Sequence, residues 1–248
     1  MLPRGGPGVF QYHVVRLVIK VVSASYVRVR IEGADRLPAS GGYLVCFNHP
    51  SWLDPFFLSG WWPDPDRLLY IFGPREADMS VGIRNYLIRQ TGRGIPFQPE
   101  GADALDATRR SLAVLRAGAV LAVAGEGRLS DHEGVPLPFE PGVGHFAMLA
   151  KVPIVPLSID GTRWVHFGST VRLVIGEPIL PATFGGGRGG AARLSEIARS
   201  AVLDGLAGVT DRPPPGRFGA WLSELFNDRP WLDDPGPADE PGAADEPG

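Results

Sequence analysis

Five successive side chains, Tyr43-Leu44-Val45-Cys46-Phe47, carry no charge between them, and this run sets the architecture. A strand-length segment without a polar face has nothing to offer water, so it reads as a central strand buried on both sides. Such a strand needs helices over both faces of its sheet. The flanking sequence supplies the pieces. Arg28 to Gly33 alternates charged and apolar residues, as a half-exposed strand ending in a glycine turn does. From Asp103, a candidate cap, Leu105, Leu112 and Leu115 recur at helical spacing, with a stop near Gly118. Strands are expected at Ala119 to Ala124, Ile154 to Ile159 and Val171 to Ile175. Helices are expected at Pro141 to Lys151, with Val143, Phe146 and Leu149 buried, and at Ala191 to Leu206. Strands alternating with helices predict a single α/β domain over residues 28–210, a mostly parallel twisted sheet flanked by helices. Loops at the carboxyl ends of the strands are then expected to form the site.

The 248 residues, 44% of them apolar, suffice for a sizeable core. A formal net charge of -3 gives no global field that would recruit nucleic acid, so any attraction to phosphate must be local. The one cysteine, Cys46, excludes an internal disulfide framework and a cysteine-only zinc site, fits a reducing compartment, and reads as a small core residue. No segment reaches the roughly 18 uninterrupted apolar residues of a membrane-spanning helix, and no export signal is expected.

Residues 1–27 predict an amphipathic helix. Val14, Leu17, Val18 and Val21 fall on one side, with Arg16 and Lys20 elsewhere. Two readings stand: a helix lying in the lipid interface, and a stripe packed on the protein's own core. Gly185 to Gly190 matches a dinucleotide fingerprint formally, but no strand leads into it and Pro178 and Pro181 intervene, so a linker is expected. Residues 211–248 form a proline-rich acidic tail, expected to be partly disordered, with Ala-Asp-Glu-Pro-Gly at 238–242 and again at 244–248. Within it Phe218, Trp221, Leu222, Leu225 and Phe226 suggest a short piece that docks on the domain or on lipid.

The chemistry concentrates at Asn48-His49-Pro50-Ser51-Trp52-Leu53-Asp54, where the buried strand ends and a helix opens with Asp54 as cap and Pro55 in the first turn. A histidine takes a proton near neutral pH only if one ring nitrogen faces the substrate, and a carboxylate on the other nitrogen fixes that tautomer. Asp54 lies one tight turn away. The spacing alone equally allows an Asp54 that only caps the helix and a His49 that only bonds a carbonyl. Phe56, Phe57, Trp61 and Trp62 suit either a lipid interface or acyl channel, or ordinary core packing.

Asn48-His49-x4-Asp54 resembles the first motif of the glycerolipid acyltransferase family, which includes 1-acylglycerol-3-phosphate acyltransferases. Gly92-Arg93-Gly94-Ile95-Pro96-Phe97 is similar to the second motif and Glu126-Gly127-Arg128-Leu129-Ser130 to the third. Val152-Pro153-Ile154-Val155-Pro156-Leu157 is similar to the fourth, and Gly176-Glu177-Pro178-Ile179 to a segment after it. Four motifs in order are specific where one is not. The third departs from the family's Phe-Pro-Glu-Gly-Thr-Arg: the proline before the glutamate is missing, and arginine comes one place early at Arg128. In the second, Gln98-Pro99 occupies the region of the usual arginine.

The resemblance implies that His49, with Asp54, is the base removing the acceptor's proton as its hydroxyl attacks a fatty acyl thioester, with no acyl-enzyme. The chain agrees in lacking a Gly-x-Ser-x-Gly elbow. It implies Arg93, Gly94, Glu126, Gly127 and Arg128 as substrate-binding residues, with Gly92 to Gly94 as candidate oxyanion donors. The expected partners are a lyso-phospholipid or other hydroxyl acceptor, an acyl thioester donor (acyl-CoA or acyl carrier protein, as co-substrate) and a membrane surface. No cofactor or metal is expected, and the expected location is the cytoplasmic, inner face of a membrane. Rival readings are a thioesterase using the same pair on water, a noncatalytic lipid-binding protein of this fold, and a metal-dependent hydrolase gathering His49, Asp54, Asp131, His132 and His145.

Overall fold

The structure is a computed structural model that describes residues 8–74, 90–91, 93–97, 102–130, 132–184, 187–225 and 227. In chain order its elements are α1 (Val9–Ala24), β1 (Arg28–Glu32), β2 (Tyr43–Phe47), α2 (Asp54–Trp61), β3 (Leu69–Pro74), β4 (Gly94–Phe97) and α3 (Ala102–Arg116). Then come β5 (Val120–Ala124), α4 (Gly142–Ala150), β6 (Ile154–Asp160), β7 (Thr170–Ile175), α5 (Gly187–Gly205) and α6 (Gly216–Glu224). Among the described residues one seven-stranded sheet runs in the order β1-β7-β6-β2-β5-β3-β4. Only the β6–β7 pairing is antiparallel, so β1 and β7 run against the other five strands.

The run Tyr43 to Phe47 is buried at every position, between β6 and β5 in the middle of the sheet. Its side chains alternate as a pleat requires. Leu44 and Cys46 join α3, α4 and α5 on one face, while Tyr43, Val45 and Phe47 join Leu58 and Trp62 of α2 on the other. The expected α/β sheet covered on both sides is therefore what forms. Two strands go beyond the sequence reading, β3 and β4, which extend the parallel set past β5.

Several local expectations change. Leu53, not Asp54, caps α2, because Asp54 is its first residue. Asp103 falls one residue inside α3. Leu105 and Leu149 are exposed; Ala107, Val114 and Leu115 bury α3, and Val143, Phe146 and Ala147 bury α4. In each case helical spacing extrapolated an apolar stripe one turn too far. The glycine linker is in part helical, since α5 starts at Gly187. Gly190 and Ala191 are buried there, and the α4–α5 contact is so close that a Cβ on Gly144 would meet the Ala191 carbonyl oxygen at 2.1 Å. Trp62 is core, 1% exposed, its indole bonding the Tyr43 hydroxyl. Trp61 bonds Ser23 Oγ on α1.

Helix α1 presents its polar side to the protein. Arg16 bonds the Trp62 carbonyl oxygen, Lys20 sits over the Trp61 ring, and Tyr12, Ile19 and Ser23 are buried. Val14, Leu17, Val18 and Val21 are exposed, so the core-packing reading of that stripe fails. Among the described residues no helix is long and apolar enough to cross a membrane. Helix α6 likewise docks through Gly219 and Ser223 and leaves Phe218, Trp221 and Leu225 exposed. Phe226 and the acidic repeat at 238–248 lie outside the described residues.

Candidate functional site

Because β2 is central and parallel to both neighbours, its carboxyl end opens where the loops after β5 and β6 also emerge. Asn48 is the first residue beyond it. Its buried side chain continues the strand pairing: Nδ2 donates to the Ile159 carbonyl oxygen at 2.8 Å, and Oδ1 accepts from the Ile159 N–H at 2.7 Å. This amide substitutes for a backbone rung, so His49 leaves the sheet in a fixed direction. The sequence reading gave Asn48 no role; one polar residue at a strand end carries no signal of such a bridge.

His49 is held from three sides. Its N–H donates to Glu126 Oε1 at 2.8 Å, its carbonyl oxygen accepts from the Ser130 N–H at 2.8 Å, and its Nδ1 lies 2.8 Å from Asp54 Oδ2. Asp54 is fully buried, and the same oxygen accepts the Ser51 N–H at 2.9 Å. An acceptor-only carboxylate at Nδ1 requires the proton there, which leaves Nε2 with a lone pair. The His49 side chain is 17% exposed. Among the described residues Nε2 has no hydrogen-bond partner. The arrangement can therefore accept a proton at Nε2 while Asp54 balances the charge formed on the ring.

Glu126 lies beside the pair, but its carboxylate faces backbone: Oε1 takes the His49 N–H and Oε2 the Leu137 N–H at 3.0 Å. Burial pushes its carboxyl above the ordinary range, against the lowering effect of those two N–H groups and of His49. It cross-ties the two loops that frame the site. Gly127 has a φ of 68°, the left-handed region that glycine adopts without strain, and turns the chain so that Arg128 stands exposed on the same loop. Burial also pushes up the Cys46 thiol, a buried core residue.

The structure does not bring Arg93 and Gly94 to His49. Arg93 precedes β4, its guanidinium stacked over the Tyr12 and Tyr70 rings at 5.7 and 5.3 Å, and Gly94 pairs with Ile71. By register Pro96 stands level with Phe47, so Arg93 lies about 16 Å back along the strands from His49. Parallel strand direction decides this: Arg93 enters its strand at the end opposite the one His49 leaves. Gly92 and the Gln98-Pro99 segment lie outside the described residues.

The residues of the metal reading do not gather. His132 pairs with Asp211, His145 with the Pro141 carbonyl oxygen, and Asp131 lies outside the described residues. Among the described residues no three His, Cys, Asp or Glu side chains are placed to hold an ion. Glu133, next to His132, is 1% exposed, and its Oε1 accepts the N–H groups of Gly161 and Arg163. Burial pushes its carboxyl up as well. An open hollow of about 450 Å³ lies beside this second loop, lined by His132, Val135, Val209 and Asp211. It is separate from the His49–Asp54 pair.

A family model described as Acyltransferase matches residues 28–160. Human 1-acyl-sn-glycerol-3-phosphate acyltransferase alpha is 30% identical over 179 residues, 69% of this chain and 60% of that protein. The chain thus spans less than two thirds of that relative's length. The Bacillus subtilis 1-acyl-sn-glycerol-3-phosphate acyltransferase is 21% identical over 169 residues, covering 67% of this chain and 81% of the relative. In fold the chain is similar to the crystal structure of the 1-acyl-sn-glycerophosphate acyltransferase PlsC from Thermotoga maritima. The TM-score is 0.60 at 22% identity, over 82% of this chain and 81% of that one.

Proposed function

Because the chain belongs to the acyltransferase family, we propose that it transfers a fatty acyl group from a thioester, acyl-CoA or acyl carrier protein, to the hydroxyl of a lyso-glycerophospholipid. The names of its relatives favour 1-acyl-sn-glycerol-3-phosphate as the acceptor. The observation that carries this reading is the 2.8 Å contact between His49 Nδ1 and the buried Asp54 carboxylate.

In the reaction His49 Nε2 takes the acceptor's proton as the hydroxyl oxygen attacks the thioester carbonyl carbon. The C–O bond forms and the carbonyl π electrons move onto oxygen. Collapse of the tetrahedral intermediate restores the carbonyl and breaks the C–S bond. The leaving thiolate receives the proton from the imidazolium, so the base is regenerated and no acyl group is attached to the protein. Asp54 keeps Nδ1 protonated throughout and steadies the imidazolium. Arg128, exposed on the loop that Glu126 ties to His49, is the candidate contact for the acceptor's phosphate, a role the guanidinium fork suits.

The acceptor is an amphiphile, and the outward apolar stripe of α1 supports delivery from a membrane surface, with the protein bound peripherally. Leu17→Asp with Val21→Asp should abolish sedimentation with phospholipid vesicles without lowering the melting temperature; unchanged sedimentation would remove this part of the reading.

The decisive assay incubates purified protein with long-chain acyl-CoA or acyl carrier protein and 1-acylglycerol-3-phosphate. Thiol release is expected only with acceptor present, together with a diacylated product by mass spectrometry. Release at the same rate without acceptor would identify a thioesterase; no release with any acceptor in a lyso-lipid panel would identify a binding protein.

A further inference from the structure

The loop that joins His49 to Asp54 is fixed at its first half by the sheet, through Asn48, Glu126 and Ser130. Its second half is fixed from a distant part of the chain. The backbone N–H of Trp52 donates to Asn227 Oδ1 at 3.0 Å, and its indole N–H donates to the Ser223 carbonyl oxygen at 3.1 Å. These partners lie 175 and 171 residues further on, far beyond the 28–160 stretch that the family model matches.

The C-terminal partners are themselves held. Ser223 is fully buried, and its Oγ accepts the Val165 N–H at 2.9 Å from the connection between β6 and β7. The Asn227 amide donates to the same Ser223 carbonyl oxygen at 3.1 Å, so one side chain joins the end of α6 to the loop. Trp52 stands two residues before Asp54 and three after His49. A shift of its backbone therefore changes the spacing across which Nδ1 meets Oδ2. The hydrogen bonds within the turn, from Asp54 N–H to the Ser51 carbonyl oxygen at 3.1 Å and from Leu53 N–H to Ser51 Oγ at 3.3 Å, do not reach outside it.

We propose that the end of α6 at Ser223, together with Asn227, is a positioning element for the proposed reaction, with Asn227 and the Ser223 carbonyl clamping Trp52 so that His49 and Asp54 keep their geometry. This inference rests on the acyltransferase reading, in which that geometry sets turnover. Asn227 and Trp52 are positioning residues: they act through the loop and touch no reacting atom. Misplacing a catalytic pair by about an ångström costs up to roughly a hundredfold in rate. Loss of one of two tethers is expected to cost less.

The test uses the full chain with Asn227→Ala, which removes the amide's bonds to Trp52, the Ser223 carbonyl and the Glu224 carboxylate, and Trp52→Phe, which keeps an aromatic ring and removes the indole N–H. Phe218→Ala, on the exposed side of α6, is the control, and His49→Ala the reference. Asn227→Ala is expected to lower kcat about tenfold with acceptor KM within about twofold, and Trp52→Phe to lower kcat by less. Melting temperatures should fall by no more than about 2–4 °C for each hydrogen bond removed, its effect in a domain this size. Phe218→Ala should leave kcat within about twofold.

A second readout needs no turnover. In ¹⁵N-imidazole NMR the Nδ1–H resonance assigned by its loss in His49→Ala should shift or broaden in Asn227→Ala and stay in place in Phe218→Ala. If kcat and this resonance are both unchanged in Asn227→Ala and Trp52→Phe, the clamp is overturned. Activity that falls only in proportion to a lost folded fraction, with the resonance unmoved, overturns it equally. A resonance that moves while the wild-type protein transfers no acyl group sinks the acyltransferase reading and leaves the clamp standing.

Discussion

Among the described residues two histidine–carboxylate pairs share one contact, Nδ1 to an aspartate oxygen, in opposite surroundings. His49 and Asp54 are 17% and 0% exposed at the end of the central strand; His132 and Asp211 are 63% and 44% exposed at the edge of an open hollow. Water competes for every hydrogen bond of the outer pair, and solvent screens its charges, so it contributes little beyond holding residue 211 to the loop after β5. The inner pair has the N–H of Ser51 on its carboxylate, two ties on its histidine backbone and, among the described residues, an Nε2 without a partner. What makes a base is thus not the pair but the frame around it: a fixed ring, a protected carboxylate and a nitrogen with nothing else to do.

The comparison breaks first at His49. His49→Ala should lower acceptor-dependent thiol release by about 10²- to 10⁴-fold with the circular dichroism spectrum unchanged; full activity in that variant would end the assignment. Asp54→Asn comes next, with a loss of about a hundredfold or more, because an amide can donate to Nδ1 and so favour the wrong tautomer. It should also cost stability, since Asp54 is fully buried and receives the Ser51 N–H.

The supporting carboxylates separate the two sites by pH. Burial holds the Glu126 carboxyl above its ordinary value of 4.5, so the folded protein keeps this proton to higher pH than the unfolded chain does. Its contribution to stability is complete below the unfolded value and is lost as pH rises through the folded one. Asp211 has the opposite sign. Its slight burial raises it, but the hydrogen bonds from His132 and the Glu133 N–H bring it below 3.8, so its contribution is present above that value and lost as pH falls through the folded one. In a series of melting curves, Glu126→Gln should flatten the decline seen above pH 4.5. Below pH 4.5 it should also lower stability by about 1–3 kcal/mol, since the amide leaves one of two backbone N–H groups without an acceptor, and this deficit should shrink as pH rises. Asp211→Asn should lower stability above pH 3.8 and leave the acid end of the curve unchanged, so that the fall on the acid side is reduced. An unaltered pH slope in Glu126→Gln would show that its carboxyl is not desolvated.

The smallest effect belongs to His132→Ala, expected to leave turnover within about twofold, because nothing ties that imidazole to the loop of His49 except the chain itself. A loss comparable to that of His49→Ala would erase the distinction between the pairs and move the chemistry to the outer hollow.

The strands named in the sequence read correctly where they are uniformly apolar or cleanly alternating, as at Tyr43 to Phe47 and Arg28 to Glu32. The missed strands β3 and β4 lack that clarity: Leu69–Pro74 ends in glycine and proline, and Gly94–Phe97 has only four residues with a proline inside. Helical spacing placed helices well and misjudged their ends, as Leu105 in the first turn of α3 and Leu149 in the last turn of α4 record. In the site, Asn48, His49, Asp54 and Glu126 stand together, and proximity along the chain made the histidine–aspartate contact legible. Arg93 was misplaced for the complementary reason: neighbouring strands bring residues together by direction and register, neither of which is written in a local motif.

From the amino acids alone followed the two-faced burial of the central strand, the layered α/β form and the five-residue step that lets one imidazole meet one carboxylate. Those are short-range properties, set by side-chain period and by a turn short enough to allow that contact, though not to require it. Which side of α1 meets the protein, what Glu126 and Asn48 bond, and how residues near 223 come to hold Trp52 were decided only by tertiary structure. They depend on groups as far as 175 residues away along the chain, among which a polar side chain has many possible partners until packing selects one.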